Sequence, residues 1–383
     1  MKNLKPITHN TLPWFSEIQK EEFAVSSREI LDSGQLICGK YTNLLEEKAK
    51  KVCKTNYAVA VSSATAAIEI ILNYLELNGE EVLVPNNTFI STIYALRNAG
   101  ATPILVDIDP KTFCIDISDV RNKITPKTRA LILVHIAGYI PEYVTELKAF
   151  CKDHNITLIE DASHAFGASY QNDSAGGIGF ASAISLYPTK IVTGGTGGIL
   201  TTNDGGLAEF ALLCRAHGNS PKGMNLQVSP NWFISEFSAL LCFLQISELS
   251  EILIRRNRVA DSYDQVIKRH KQLFQTQPHD DRRVHPYYKY IVKIRDNIIK
   301  KKDITEFFRS KNIELGHCYE TTLSEHLSTK NIFRNQQFPN SQIFSSNHFT
   351  LPCHTGLTAK ETDFICETLE EFVGSHVYNA NKK

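Results

Sequence analysis

The sequence carries no excess of either charge: Lys+Arg and Asp+Glu number 41 each in 383 residues. Nucleic-acid binding needs a basic surface that neutralises phosphates, so no nucleic-acid partner is expected. The short basic clusters Arg255-Arg256 and Lys300-Lys301-Lys302 read as solvated helix faces. The nine cysteines are scattered, odd in number and without a CxxC pair, which argues against a disulfide framework or a zinc site and for reduced thiols in a cytoplasmic setting. No metal is expected. No uncharged apolar stretch reaches the ~18 residues of a membrane span, and the opening MKNLKPITHNTLPWF has no apolar signal core, so a soluble intracellular protein without a membrane partner is expected. Also missing are GxxxxGK[ST] and any GxGxxG after a strand, which removes the P-loop and the nicotinamide oxidoreductase that a parallel α/β chain would otherwise suggest.

What the chain does have, from about residue 57, is an alternation of short β-branched runs with helical patterns. The runs are YAVAV (57–61), EVLVP (81–85), TPILVD (102–107), ALILVH (130–135), TLIED (157–161), SAISLY (182–187) and GILTT (198–202). They lack polar alternation, as strands buried on both faces do, so the spacing predicts an α/β fold with a mostly parallel central sheet flanked by helices. After residue 203 longer helical patterns take over, at 235–249 and 251–270. A strand-like stretch at 287–294, a helix near 304–310 and a last helix over 359–373 then predict a smaller α+β domain. The length suits two cores. The expected division is a large domain over 1–249 and a small C-terminal domain over 250–383.

Ligands of open α/β sheets bind at the carboxyl ends of the strands, so the residues just after each run carry the functional question. Ser62-Ser63-Ala64-Thr65 follow the first run and lead into a helix; free amides and hydroxyls there make an anion site, or simply a helix cap. Asp161 ends the fifth run, where a carboxylate needs a cation, several donors or a turn to cap. His164, three residues on, reads by default as a packed or surface histidine. Lys190 follows the sixth run, five residues after Ser185 and just before glycines 194, 195, 197 and 198; it either reaches out to water or is a partly buried amine nucleophile. Phe89, after the second run, is core or a face for a flat ring. Gly316-His317-Cys318-Tyr319 and Lys222-Gly223-Met224-Asn225 either line the substrate pocket or, by default, are plain surface loops. Together, an anion cradle, a ring face, an acid and an amine at one sheet edge are the set that pyridoxal 5′-phosphate (PLP) requires.

The ordered blocks SSATAAIEI, EVLVPNNTFISTIYALRNAGATPILVDID, ALILVHIAGY, LIEDASHAFGA, SLYPTK with GGTGG, and TTND closely resemble the DegT/DnrJ/EryC1/StrS family of sugar aminotransferases. The resemblance runs from about residue 30 to 265 and is looser beyond, through YYKYIV and LPCHTGLT. It implies the fold-type-I PLP architecture and a homodimer with shared sites. It further implies that Lys190 forms the Schiff base with the cofactor, Asp161 pairs with the pyridine nitrogen, His164 sits near the ring hydroxyl and Phe89 stacks on the ring. Ala64, Thr65 and Ser185 would hold the phosphate, with Asn231 reaching in from the neighbouring subunit. The implied activity moves an amino group from glutamate to a keto-sugar, in particular a nucleotide-linked 3- or 4-keto-deoxysugar. Two positions depart from the family pattern: Thr196 replaces the acid of GEGG, and Phe233 replaces the arginine of N-x-R-M-S. The alternatives are a PLP-dependent sugar dehydratase, against which the retained Lys190 argues, and a catalytically silent sensor or regulator on the same scaffold.

Overall fold

A computed structural model describes residues 6–10, 13–219, 229–295, 299–334 and 336–376; the loop Lys222-Gly223-Met224-Asn225 lies outside these. In chain order the strands are β1 (Tyr57–Val61), β2 (Glu81–Pro85), β3 (Thr102–Val106), β4 (Thr128–Val134), β5 (Thr157–Asp161), β6 (Ser169–Tyr170), β7 (Asp173–Ser174), β8 (Ala181–Ser185), β9 (Gly198–Thr202), β10 (Phe274–Gln275), β11 (Arg283–Val284), β12 (Tyr290–Ile294) and β13 (His348–Leu351). Seven of them form one sheet in the order β1-β9-β8-β5-β4-β2-β3. Within it only β9 runs against its neighbours, pairing antiparallel with both β1 and β8.

The apolar runs are continuous because both faces of this sheet are covered. In β4, Leu131 and Leu133 belong to one core, while Ala130, Ile132 and Val134 belong to the other. The first core is completed by Leu45 and Ala49 of the helix Lys40–Cys53, Leu147 of Val144–Asp153 and Leu240 of Glu236–Ser247. The second is completed by Ile68 and Leu72 of the helix Ala64–Tyr74, Leu96 of Ile90–Asn98 and Leu207 of Gly205–Arg215. Side chains alternate across a strand, so every residue of a doubly covered strand must be apolar or small. The predicted α/β class, its mostly parallel sheet and all seven strand positions are present.

The C-terminal part has its own core. The antiparallel sheet β10-β12-β13 packs Tyr290, Val292 and Phe349 against Phe308 of the helix Lys301–Ser310, Phe372 of Ala359–His376 and Tyr263 of the 21-residue helix Leu249–Arg269. Ile7 pairs with Ile313 and joins the same core. Arg256 is not on a solvated face, as its sequence setting suggested: it is buried and donates to the carbonyls of Tyr287 (2.8 Å) and Cys353 (2.7 Å). Two backbone acceptors at that depth give the guanidinium partners that water would otherwise supply. Among the described residues no single helix is long and apolar enough to cross a membrane. None of the nine cysteines forms a disulfide.

Glu236 ties the segment before the sheet to the large unit. Its buried carboxylate accepts from the amides of Gly39 (2.8 Å), Tyr41 (2.8 Å) and Thr42 (2.9 Å), and from the Thr42 hydroxyl. These are amides at the start of the helix Lys40–Cys53, which has no side-chain cap of its own. Each buried donor left unpaired costs ~1–3 kcal/mol. Glu236→Ala is therefore expected to lower the thermal unfolding midpoint by roughly 5 °C or more, as followed by circular dichroism.

Candidate active site

The carboxyl ends of the parallel strands open into a cavity of about 530 Å³. At one end Ser63, extended at φ −167°, caps the helix Ala64–Tyr74 by accepting from Ala66 N–H at 3.1 Å. The glycine turn that follows Lys190 returns against this helix start, with Gly197 bridging Ser63. A side chain at Gly198 would place its Cβ 2.3 Å from the Ser63 carbonyl carbon, so only glycine lets the two backbones meet. Ala64, Thr65 and Ser185 all line the cavity here. Exposed amides at a helix start together with two hydroxyls form an anion cradle.

The middle of the cavity holds the acid and the amine. Asp161 is buried at the end of β5, where Oδ1 accepts from Ser163 N–H at 3.0 Å. Its neighbour Glu160 points to the other face and accepts from the amides of Gly176, Ile178 and Gly179 (2.9, 2.7 and 2.9 Å) and meets His135 at 2.8 Å. This anchors the strand end from behind. Lys190 is half-buried, with its Nζ 4.6 Å from the centre of the Tyr288 ring. Loss of water pushes its pKa down to about 8, and the charge of Asp161 opposes that shift. Phe89 stands at the cavity wall and is 55 % exposed, free to face a flat ligand.

His164 is buried, with Nδ1 accepting from Ala137 N–H at 3.3 Å and Nε2 3.1 Å from the Tyr319 hydroxyl. Burial, then the charges of Lys190 and Lys289, hold its pKa well below the usual histidine value. Of the two readings of its segment, pocket lining holds for Tyr319 rather than the default surface loop: it lines the cavity, beside Phe89 and His164 with ring centres 6.1 Å from each. Tyr288 was not singled out as a site residue, yet its ring stacks on His164 at 4.2 Å and its hydroxyl lies 3.0 Å from Thr189 Oγ1. The only sequence signal was a tyrosine pair before a strand in YYKYIV, which has no periodicity to mark it. Thr196 lines the cavity, whereas Phe233 packs edge-on to His217 at 5.7 Å. Asn231 does not line this chain's cavity; it is exposed, and its backbone bridges Ala216.

These residues fit PLP. The volume lies in the range of cofactor sites. The cradle at the helix start suits a phosphate, the buried carboxylate a protonated ring nitrogen, and the amine an aldehyde. An amine with pKa near 8 is available as a nucleophile close to neutrality. The rate at which the cofactor-free protein condenses with PLP, followed by absorbance, is expected to rise with pH through about 8. Asp161→Asn removes the charge that holds the lysine proton, so the inflection should move to lower pH.

Residues 17–370 match the model of the DegT/DnrJ/EryC1/StrS aminotransferase family. Helicobacter pylori PseC, an aminotransferase involved in the biosynthesis of pseudoaminic acid, superimposes with a TM-score of 0.89 at 25% identity, covering 97% of this chain and 100% of its own. The sugar aminotransferase Spr1654 from Streptococcus pneumoniae, so described provisionally, superimposes in its PMP form with a TM-score of 0.87 at 25% identity over 98% of this chain and 99% of its own. Its PLP form also matches, with a TM-score of 0.85. A curated relative, the pleiotropic regulatory protein of Geobacillus stearothermophilus, is 28% identical over 90% of this chain and 92% of its own length. The chain belongs to the DegT/DnrJ/EryC1/StrS aminotransferase family, a family of PLP-dependent sugar aminotransferases.

Proposed function

We propose that this protein transfers the amino group of glutamate to a keto-sugar, a nucleotide-linked 3- or 4-keto-deoxysugar, in amino-sugar biosynthesis. The observation that carries the reading is the Lys190 amine, pushed to about 8 in a cavity it shares with Asp161 and the helix start at Ala64. PLP, when bound, supplies a ring that accepts electron density as a proton leaves the substrate carbon. Asp161 would keep the ring nitrogen protonated. Ala64, Thr65 and Ser185 would hold the phosphate, Phe89 would face the ring, and His164 would lie near its hydroxyl. Lys190 would hold the cofactor, and its Nζ, a base close to neutrality, would move the proton at the substrate carbon. The buried wall of Val134 and Ile68 excludes water from that transfer.

The site is completed by a second copy of the chain, with Asn231 reaching the partner's phosphate cradle. Its exposure, away from its own cavity, supports this arrangement. We divide the chain into a PLP-binding unit over 1–249 and a small C-terminal unit over 250–383 that supplies Tyr288 and Tyr319 to the cavity. Cysteine usage without disulfides supports a cytoplasmic location. A regulatory role on this scaffold is favoured by one observation, the 28% likeness to a protein described as a pleiotropic regulator; it requires that glutamate leave the visible cofactor band unchanged.

With ¹⁵N-glutamate and a panel of nucleotide-linked keto-sugars, mass spectrometry should find the label in an amino-sugar product. Lys190→Ala should retain cofactor and lose at least ~10²–10⁴-fold in turnover, the usual worth of a positioned acid–base group. Steady-state transamination by that variant at the native rate would contradict the assignment.

A further inference from the structure

His164 is the middle of a hydrogen-bond chain with one direction. The Ala137 amide has a proton to give and donates it to His164 Nδ1 at 3.3 Å. The imidazole is neutral in its buried setting, so its single proton is on the other nitrogen. That nitrogen, Nε2, lies 3.1 Å from the Tyr319 hydroxyl oxygen. The hydroxyl therefore accepts from the histidine, and the phenol's own proton points elsewhere. A half-turn of the ring would keep its stacking on Tyr288, at 4.2 Å and 23°, but would set a C–H against the buried Ala137 amide and leave that donor unpaired, so the order is held. Among the described residues no second acceptor receives the Tyr319 proton. Tyr319 is a wall of the cavity, so the open side of its hydroxyl is the ligand side. Both nitrogens of His164 are already occupied, which leaves Tyr319, rather than the histidine, as the donor at this corner.

We propose that Tyr319 donates a hydrogen bond to an oxygen of the molecule bound in the cavity, and that His164 is the positioning residue that fixes the direction of that bond. The proposal rests on the aminotransferase reading, under which two oxygens qualify: the ring oxygen of PLP and an oxygen of the keto-sugar. The shared chemistry is an oxygen acceptor; the other tyrosine of this corner, Tyr288, has its hydroxyl 3.0 Å from Thr189 Oγ1 and shares a hydrogen bond with it. The charged groups around this corner are Lys190, Lys289 and Asp161.

The test uses the full chain loaded with PLP and compares the native protein with Tyr319→Phe. If the acceptor is the ring oxygen, loss of the donor makes the cofactor more basic, and the pH midpoint of its visible band should rise by about one unit, a tenfold effect. If the acceptor is on the sugar, the band and the half-reaction with L-glutamate stay as they were, while KM for a nucleotide-linked keto-sugar rises roughly three- to tenfold. His164→Gln keeps one acceptor and one donor, so Tyr319→Phe should have the same effect in that background. His164→Leu removes the chain, so there Tyr319→Phe should change little. No change in either the band midpoint or the sugar KM in Tyr319→Phe would overturn the proposal. A native protein whose band fails to respond to glutamate would instead overturn the aminotransferase reading, because the band titration needs no turnover.

Discussion

An amine partly withdrawn from water beside a buried carboxylate is the constraint on which the rest of this site depends. Desolvation drives the Lys190 proton off, and Asp161 holds it on; the balance near 8 leaves a group that is neither a fixed cation nor a free base. Such a balance needs the two side chains at fixed positions, and the sheet provides them. β5 ends in Glu160-Asp161, and alternation sends the two carboxylates to opposite faces. Glu160 is locked by three amides and His135, so the strand end cannot drift and Asp161 is held toward the cavity. On the next strand over, β8 delivers Lys190 through a short loop, and β9 returns antiparallel so that its Gly198 and the preceding Gly197 press on the helix start at Ser63. The one reversed strand thus brings the amine and the anion cradle to the same edge.

Much of this was legible in the sequence, for a physical reason. A sheet covered on both faces keeps its strands mostly apolar, which makes the runs visible; polar residues at and just past the strand ends then stand out. Asp161 and Ser185 at strand ends, and Thr65, Phe89 and Lys190 shortly after them, are legible by that position, and each lines the cavity. The strand order carries the same information, since a parallel sheet gathers all those ends on one side.

The rest could not be read locally. Tyr319 reaches the cavity because Gly316 pairs with Thr350, and Tyr288 because its amide meets the carbonyl of Ala137. Both are tertiary contacts between distant segments, with no spacing rule to announce them. Arg256 was misread for a related reason: charge in a sequence does not reveal that carbonyls of Tyr287 and Cys353 wait where the guanidinium is buried. Glu236 serves amides almost two hundred residues earlier, an acceptor whose donors no helix pattern could indicate.

The C-terminal part of the chain also contains the rival that most sharply tests the account. Lys289 is a second lysine pushed by burial to about 8, yet it lies outside the cavity lining and donates to His9 Nδ1 at 3.2 Å and to Asn10. Depressed basicity alone would make both lysines reactive; geometry singles out Lys190. Borohydride reduction of the PLP-loaded protein, followed by peptide mass spectrometry, reads the difference directly. The account predicts the pyridoxyl label on Lys190 alone, and a label on Lys289 with Lys190 unmodified would contradict it.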